Sequence, residues 1–274
     1  MKIHGICLLK NEADIVEYSL RENSRWCDAI YVYDNGSTDG TMERVQALAK
    51  QHPHIIPFGT TTKPFHDSLR ADVFNHFKAK AAPGDWWCRL DADEIYVDDV
   101  RAYLSRVPRH LHFVWSIYLQ YYVTEKDLAR LEPFEGQPPF DVNADNLPRH
   151  YLADYAEPKF FRHRPGLRWD HGSWPNHVGL VAPEMLRHKH LQYRSPAQIE
   201  RRLQTRREAA ATGWQGFPNS SEMSWREKIE PSERLHFDAG DGRFIVEEAL
   251  LPRHLEPAWQ RLVKRFMHAA HIWP

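Results

Sequence analysis

The strongest constraint on this chain is an alternation. Four short apolar, β-favouring runs, at residues 2–9, 28–33, 55–58 and 86–90, are separated by segments with helical periodicity. After the first run, Ile15, Tyr18, Ser19 and Glu22 fall on successive turns. After the second, Met42, Val45, Leu48 and Ala49 trace an amphipathic face that ends near His52-Pro53. Residues 68–82 read as a third helix, and Pro83-Gly84 resets the chain for the fourth run. Strands and helices alternating in this way predict a parallel sheet with helices on both faces.

Polar clusters follow three of these strands directly: Lys10-Asn11-Glu12, residues 34–39 and residues 91–94. Open α/β sheets bind ligands beyond the carboxyl ends of their strands, where the strand order reverses. The three clusters are therefore expected to meet at one crevice.

The second half is less regular. Residues 111–123 are apolar and aromatic and predict one or two strands, and the proline-rich residues 132–146 predict a long loop. Residues 159–163 and 167–170 read as a hairpin around Arg164-Pro165-Gly166, and residues 185–193 as another strand. Ser195, Pro196 and Gln198 combine an N-cap, a first-turn proline and a capping-box glutamine, so a helix is expected to run to about residue 213.

Charge and cysteine content narrow the function classes. With 36 Lys and Arg against 37 Asp and Glu, the net charge of −1 gives no global attraction to nucleic acid or an anionic membrane. The longest stretch free of these residues, 110–124, is shorter than the roughly 20 apolar residues that span a bilayer. Glu12 and Asp14 interrupt any secretory signal, so a cytoplasmic protein is expected. Cys7, Cys27 and Cys88 have no C-x-x-C spacing and read as reduced thiols. No H-E-x-x-H zinc spacing exists.

Asp91-Ala92-Asp93 places two carboxylates on one side of an extended strand end, where they can share a divalent cation with a diphosphate. The turn at residues 34–40 has some calcium-loop character, but Gln46 stands where a bidentate Glu is needed and no helix precedes it. It reads instead as a strand-to-helix turn in which Asp34 accepts hydrogen bonds from a ligand and Ser37 or Thr38 caps the helix.

Taken together, Leu9-Lys10-Asn11-Glu12, Tyr33-Asp34-Asn35-Gly36-Ser37-Thr38-Asp39-Gly40-Thr41 and Arg89-Leu90-Asp91-Ala92-Asp93-Glu94 resemble, in order and spacing, family 2 of the glycosyltransferases and its relatives with a GT-A fold. The resemblance covers about residues 1–100 and thins beyond them. It implies a GT-A-type, mostly parallel α/β sheet with helices on both faces, followed by a less regular acceptor-side region and helices. The implied catalytic domain is residues 1–213, divided into a nucleotide-sugar half (1–100) and an acceptor half (101–213), with a helical extension at 214–274.

The resemblance further implies a nucleotide-diphosphate sugar donor, a glycan or lipid-linked saccharide acceptor, and no nucleic-acid partner. Asp34 would bind the base, Asn11 and Glu12 would line the nucleotide pocket, and Asp91 and Asp93 would hold ribose and a Mn2+ or Mg2+ ion. Asn35 stands where a second Asp usually follows the first, which leaves the base open. His190 looks like the late histidine that closes such a metal site, with His188 on the same strand face competing. Arg194, Arg201 and Arg202 would offset diphosphate charge. An inverting transfer needs a carboxylate base, for which Asp170, beside Trp169, and Glu157 are the candidates.

Two alternatives compete. A nucleotidyltransferase would carry a Gly-rich, basic loop after the first strand, which Leu8-Leu9-Lys10-Asn11 lacks. A non-catalytic sugar-nucleotide-binding scaffold would have no need of both Asp91 and Asp93. Near the C-terminus, Pro257, Trp259, Leu262, Val263, Phe266, Ala269 and Trp273 repeat at helical spacing, while Arg261, Lys264, Arg265 and His268 supply positive charge. That stripe predicts either a helix packed on its own domain or peripheral contact with the inner face of a membrane.

Overall fold

The computed structural model describes residues 1–131, 141–211 and 224–274. The strands are β1 (Ile3–Leu9), β2 (Ala29–Asp34), β3 (Ile55–Thr60), β4 (Trp86–Asp91), β5 (Glu94–Tyr96), β6 (Phe113–Tyr122), β7 (His150–Arg162), β8 (Leu186–His190) and β9 (His236–Phe237). The helices are α1 (Val16–Asn23), α2 (Thr41–Gln51), α3 (Leu69–Phe77), α4 (Val100–Arg106), α5 (Glu125–Leu131), α6 (Pro196–Ala211) and α7 (Ala258–Ala269).

Among the described residues these strands form one sheet in the order β3-β2-β1-β4-β7-β6-β8-β5, with β9 paired to β7. β3, β2, β1 and β4 are parallel. β7 runs antiparallel to both β4 and β6, β8 lies parallel to β6, and β5 closes antiparallel on β8. From β1 the chain moves outward through β2 to β3, then returns to β4 on the other side of β1. The strand order therefore reverses at β1, and the register places Leu9 opposite Asp34 and Leu8 opposite Asp91.

Burial on both faces explains why β1 reads as a continuous apolar run. Ile3, Cys7 and Leu9 pack with Val16 and Leu20 of α1 and Val45 and Leu48 of α2. Ile6 and Leu8 pack with Val73, Phe74 and Phe77 of α3 on the opposite face. The architecture is thus the expected α/β sheet with helices on both sides, parallel in its first half and mixed in its second.

The second half departs from expectation in its strands. Residues 113–122 form one strand, and β7 begins at His150, well before the predicted run. Residues 167–170 form no strand. Leu167 and Trp169 instead turn into the aromatic core against Phe161 and Phe74, and the Trp169 indole N–H donates to the Gly172 carbonyl at 3.1 Å. Apolar alternation alone cannot separate a strand from a loop that buries the same side chains.

α6 starts as predicted: the Gln198 N–H donates to Ser195 Oγ at 3.2 Å. α2 does not. Gly40 occupies its N-cap with φ of 89°, and Asp39 accepts the Thr41 N–H at 3.1 Å, so neither Ser37 nor Thr38 is the cap. Part of the predicted proline-rich loop, residues 132–140, lies outside the described residues. All three cysteines are buried and unpaired. Among the described residues no helix is long and apolar enough to cross a membrane.

Candidate functional site

A crevice of about 580 Å³ opens at the carboxyl ends of β1, β2 and β4, the point where strand order reverses. Its floor is the end of β1. Asn11 adopts φ of 55°, a left-handed conformation that asparagine tolerates better than most residues. Its N–H donates to Ser37 Oγ at 2.8 Å, its Oδ1 accepts the Thr38 N–H at 2.9 Å, and its Nδ2 donates to Thr205 Oγ1 of α6 at 3.2 Å. Asn11 thereby joins the turn after β2 and the helix α6 to the crevice it lines.

Glu12 also lines the crevice, and its carboxylate accepts from Arg194 at 2.6 Å and Arg202 at 3.1 Å. Arg194 itself is 1% exposed, bonded to Glu12, Asp14 and the Leu191 carbonyl, and lies behind the crevice wall. Of the three arginines singled out in the sequence, Arg202 lines the crevice, while Arg201 pairs with Asp39 at 3.2 Å. Arg206, one helical turn beyond Arg202, lines it too.

Asp34 ends β2 beside this floor, but its oxygens face inward. They accept the Ser37 N–H at 3.1 and 3.2 Å and the Ser37 hydroxyl at 2.5 Å. The wall position falls to Asn35, whose Nδ2 donates to the carbonyls of Thr61 at 3.3 Å and Lys63 at 2.8 Å. Asn35 thus holds the segment carrying Thr62, Lys63 and Phe65, all crevice-lining.

The two carboxylates at the end of β4 have separate partners. Asp91 is bonded by the Arg70 guanidinium and, at 3.3 Å, by Lys159 Nζ. Both cations are almost fully buried. Asp93 faces His190 Nε2 at 3.6 Å and Arg202 Nη1 at 3.4 Å. Burial alone would raise the Asp93 carboxyl, but His190, Arg202 and Arg194 hold it well below the usual carboxylate range.

His190 is oriented from behind. Gln120 Nε2 donates to the Tyr121 carbonyl at 3.3 Å, which leaves Oε1 to accept from His190 Nδ1 at 2.6 Å. In the neutral ring Nε2 then presents its lone pair toward Asp93. An acceptor behind the distal nitrogen is the usual support of a metal-binding histidine. His188, the competing residue, is fully buried, with Nε2 3.4 Å from Glu94, and does not line the crevice. Among the described residues no three His, Cys, Asp or Glu side chains converge on one point. Asp91 is paired with Arg70 and Lys159, whereas Asp93 faces His190 and Arg202.

The two candidate bases are placed differently. Asp170 is exposed, accepts from Asn176 Nδ2 at 3.1 Å, and is not part of the crevice wall. Glu157 lies on β7 against Lys159 Nζ at 2.9 Å and accepts the Tyr118 hydroxyl at 2.5 Å. Burial raises its carboxyl, yet Lys159, Arg89 and the tyrosine hold it at about 2. Because the folded-state value is depressed, the associated stability is present above the unfolded value of about 4.5 and is lost as pH falls toward 2. The shift corresponds to about 3 kcal/mol at most. Glu157→Gln is expected to flatten the acid-unfolding profile between about pH 4.5 and 2. A variant profile parallel to that of the parent chain would remove Glu157 from the acid response.

Local sequence reading missed Arg70, Lys159 and Gln120. Arg70 sits in the largely buried helix α3, and Lys159 lies on β7 directly before two aromatic residues. Only the latter leaves a trace in the sequence: a charged residue directly before Phe160-Phe161.

The chain matches no protein-family model and no curated protein. Solved structures similar to it include the mannosyltransferase PcManGT from Pyrobaculum calidifontis in complex with GDP-Man and Mn2+. That chain is 17% identical, with 82% of this chain and 68% of that one covered and a TM-score of 0.41. S. aureus TarS 1-349 is 12% identical over 77% of this chain and 65% of that one, with a TM-score of 0.36. A putative glucose-1-phosphate thymidylyltransferase from Bacillus anthracis in complex with a sucrose is 14% identical over 46% of this chain and 57% of that one, with a TM-score of 0.32. These identities and TM-scores, the latter all below 0.5, assign no activity to this chain.

Proposed function

We propose that this chain is a glycosyltransferase that moves a sugar from a nucleotide-diphosphate donor to a hydroxyl of a glycan or lipid-linked saccharide. The observation that carries the proposal is the placement of Asp91 and Asp93 at the switch point of the sheet, opening on one crevice with His190 and Arg202. Such a crevice offers opposite needs of a nucleotide-sugar in one place: cationic side chains for phosphates, and carboxylates for ribose or sugar hydroxyls. In this reading the base meets Asn35 and the segment with Phe65, and Asp34 acts by shaping the turn that positions them.

Asp93 and His190 fit a divalent cation, because a histidine braced by Gln120 turns its free nitrogen toward a carboxylate. Magnesium-type sites commonly use one or two protein ligands, with substrate phosphates completing the set, so Asp91 need not join them. When bound there, Mn2+ or Mg2+ would supply Lewis-acid neutralisation of the leaving diphosphate. Arg202 and Lys63 place further positive charge on the same crevice. Glu157, held at about 2 by its partners, suits the positioning of Lys159 better than proton abstraction near neutral pH.

His190→Ala is expected to raise the metal concentration for half-maximal activity by about 10-fold or more, with little change in melting temperature. His188→Ala, which empties a fully buried site, should leave that requirement nearly unchanged and lower stability by about 2 kcal/mol or more. Titration of activity with MnCl2, beside thermal melts, separates the two. Equal effects on metal requirement would withdraw His190 as a ligand.

The decisive test is a screen of nucleotide-sugars for release of nucleoside diphosphate, paired with calorimetric binding of the same donors. Release and binding with one donor are expected. Pyrophosphate release from a nucleoside triphosphate in the presence of a sugar phosphate, or no donor bound at all, would overturn the proposal.

A further inference from the structure

α7 is amphipathic, yet it is attached by its polar side. Surface helices ordinarily lay their apolar stripe on the domain and turn polar residues to water. In α7 the partly buried residues are Gln260, Lys264, Met267 and His268, which share one face at helical spacing. Lys264 Nζ donates to the Gly179 carbonyl at 3.2 Å and to Glu256 at 2.5 Å. His268 lies against the His112 ring at 4.8 Å and Arg164 at 3.4 Å. The opposite face carries Trp259, Leu262, Val263 and Phe266, exposed by 65, 70, 48 and 64%.

Four large apolar side chains at i, i+3, i+4 and i+7 make a continuous stripe, not scattered surface hydrophobes. Burial of side chains this large and apolar is favourable, so the stripe calls for a cover. Its chemistry names one. Arg261 and Arg265, both exposed, flank the stripe, and residues 257–274 contain no Asp or Glu. A second copy of this helix would offer no acid to answer those arginines. An anionic lipid surface offers both an apolar layer and phosphates at its rim.

We propose that α7 is a membrane-contact helix lying in the interface of an anionic bilayer, with Trp259, Leu262, Val263 and Phe266 among the acyl chains and Arg261 and Arg265 on headgroup phosphates. The proposal does not depend on donor chemistry, since it concerns a helix outside the crevice. It adds to the protein a lipid-facing surface beside His112 and Arg164, separate from the crevice.

The test uses the full chain and sedimentation with vesicles of phosphatidylcholine, with or without phosphatidylglycerol. The chain is expected to sediment with the phosphatidylglycerol vesicles and only weakly with phosphatidylcholine alone. Leu262→Glu combined with Phe266→Glu should weaken binding by about 100-fold or more at unchanged melting temperature. Arg261→Gln and Arg265→Gln should each weaken it by about fivefold and reduce its salt sensitivity. Absence of binding to phosphatidylglycerol vesicles, or equal binding by the double glutamate variant, would overturn the proposal. So would a large fall in that variant's melting temperature, which would make the stripe an internal packing face. Self-association abolished by the same variant would assign the face to a second copy instead.

Discussion

Asp93→Asn is expected to lower transfer by 10²- to 10³-fold, the range seen when one preorganised electrostatic group is removed from an active site. The substitution keeps side-chain volume while removing the charge that faces His190 and Arg202. Arg202 retains Glu12 at 3.1 Å, so the loss of stability should stay within about 1–3 kcal/mol and the variant should fold. The measurement is turnover with the donor identified by screening, beside a melting curve. Turnover equal to that of the parent chain would take Asp93 out of the chemistry. Loss of turnover together with loss of the folded state would call for Asp91→Asn as the second probe. Arg70 there keeps Asp67 at 2.7 Å, and Lys159 keeps Glu94 at 2.6 Å.

Lys159→Ala is expected to be the most destabilising single change in the crevice region. Lys159 is fully buried among Glu94 at 2.6 Å, Glu157 at 2.9 Å and Asp91 at 3.3 Å. Burial disfavours its charged form, but the three carboxylates raise it well above the ordinary lysine value. Removing the cation leaves buried like charges facing one another, a change that costs about 3–5 kcal/mol. For a chain of this size that is a fall in melting temperature on the order of 10 °C. Donor affinity should fall as well, because Asp91 loses one of the two cations that hold it. Denaturant unfolding checks the first effect and calorimetry the second. Unchanged stability would mean that the carboxylates are compensated by other groups.

Much of the first half was legible in the sequence because its signals are local. A continuous apolar run such as Ile3–Leu9 is what a strand buried on both faces requires, and the polar residues after it fall at a strand end by chain order alone. Asp91 and Asp93 could be picked out because their spacing and the buried strand before them are sequence neighbours. The roles within the site were less legible. Asp34 is an acceptor by type, but whether its oxygens face a ligand or Ser37 depends on the turn that Gly36 and Gly40 permit.

The sequence by itself determined the βα repetition, the crevice at the strand ends and the carboxylate pair beside it, all of which follow from periodicity over a few residues. Tertiary structure alone decided which charges meet. Arg70 reaches Asp91 across 21 residues, Lys159 across 68, and Arg194 reaches Glu12 across 182. It also decided that α7 docks through Lys264 and His268, leaving its apolar stripe exposed. The physical reason is the same in each case. A periodic pattern shows that a helix has two faces, and a side chain's type shows what it can bond. Which face is covered and which partner is reached depend on elements brought together only by the folded sheet.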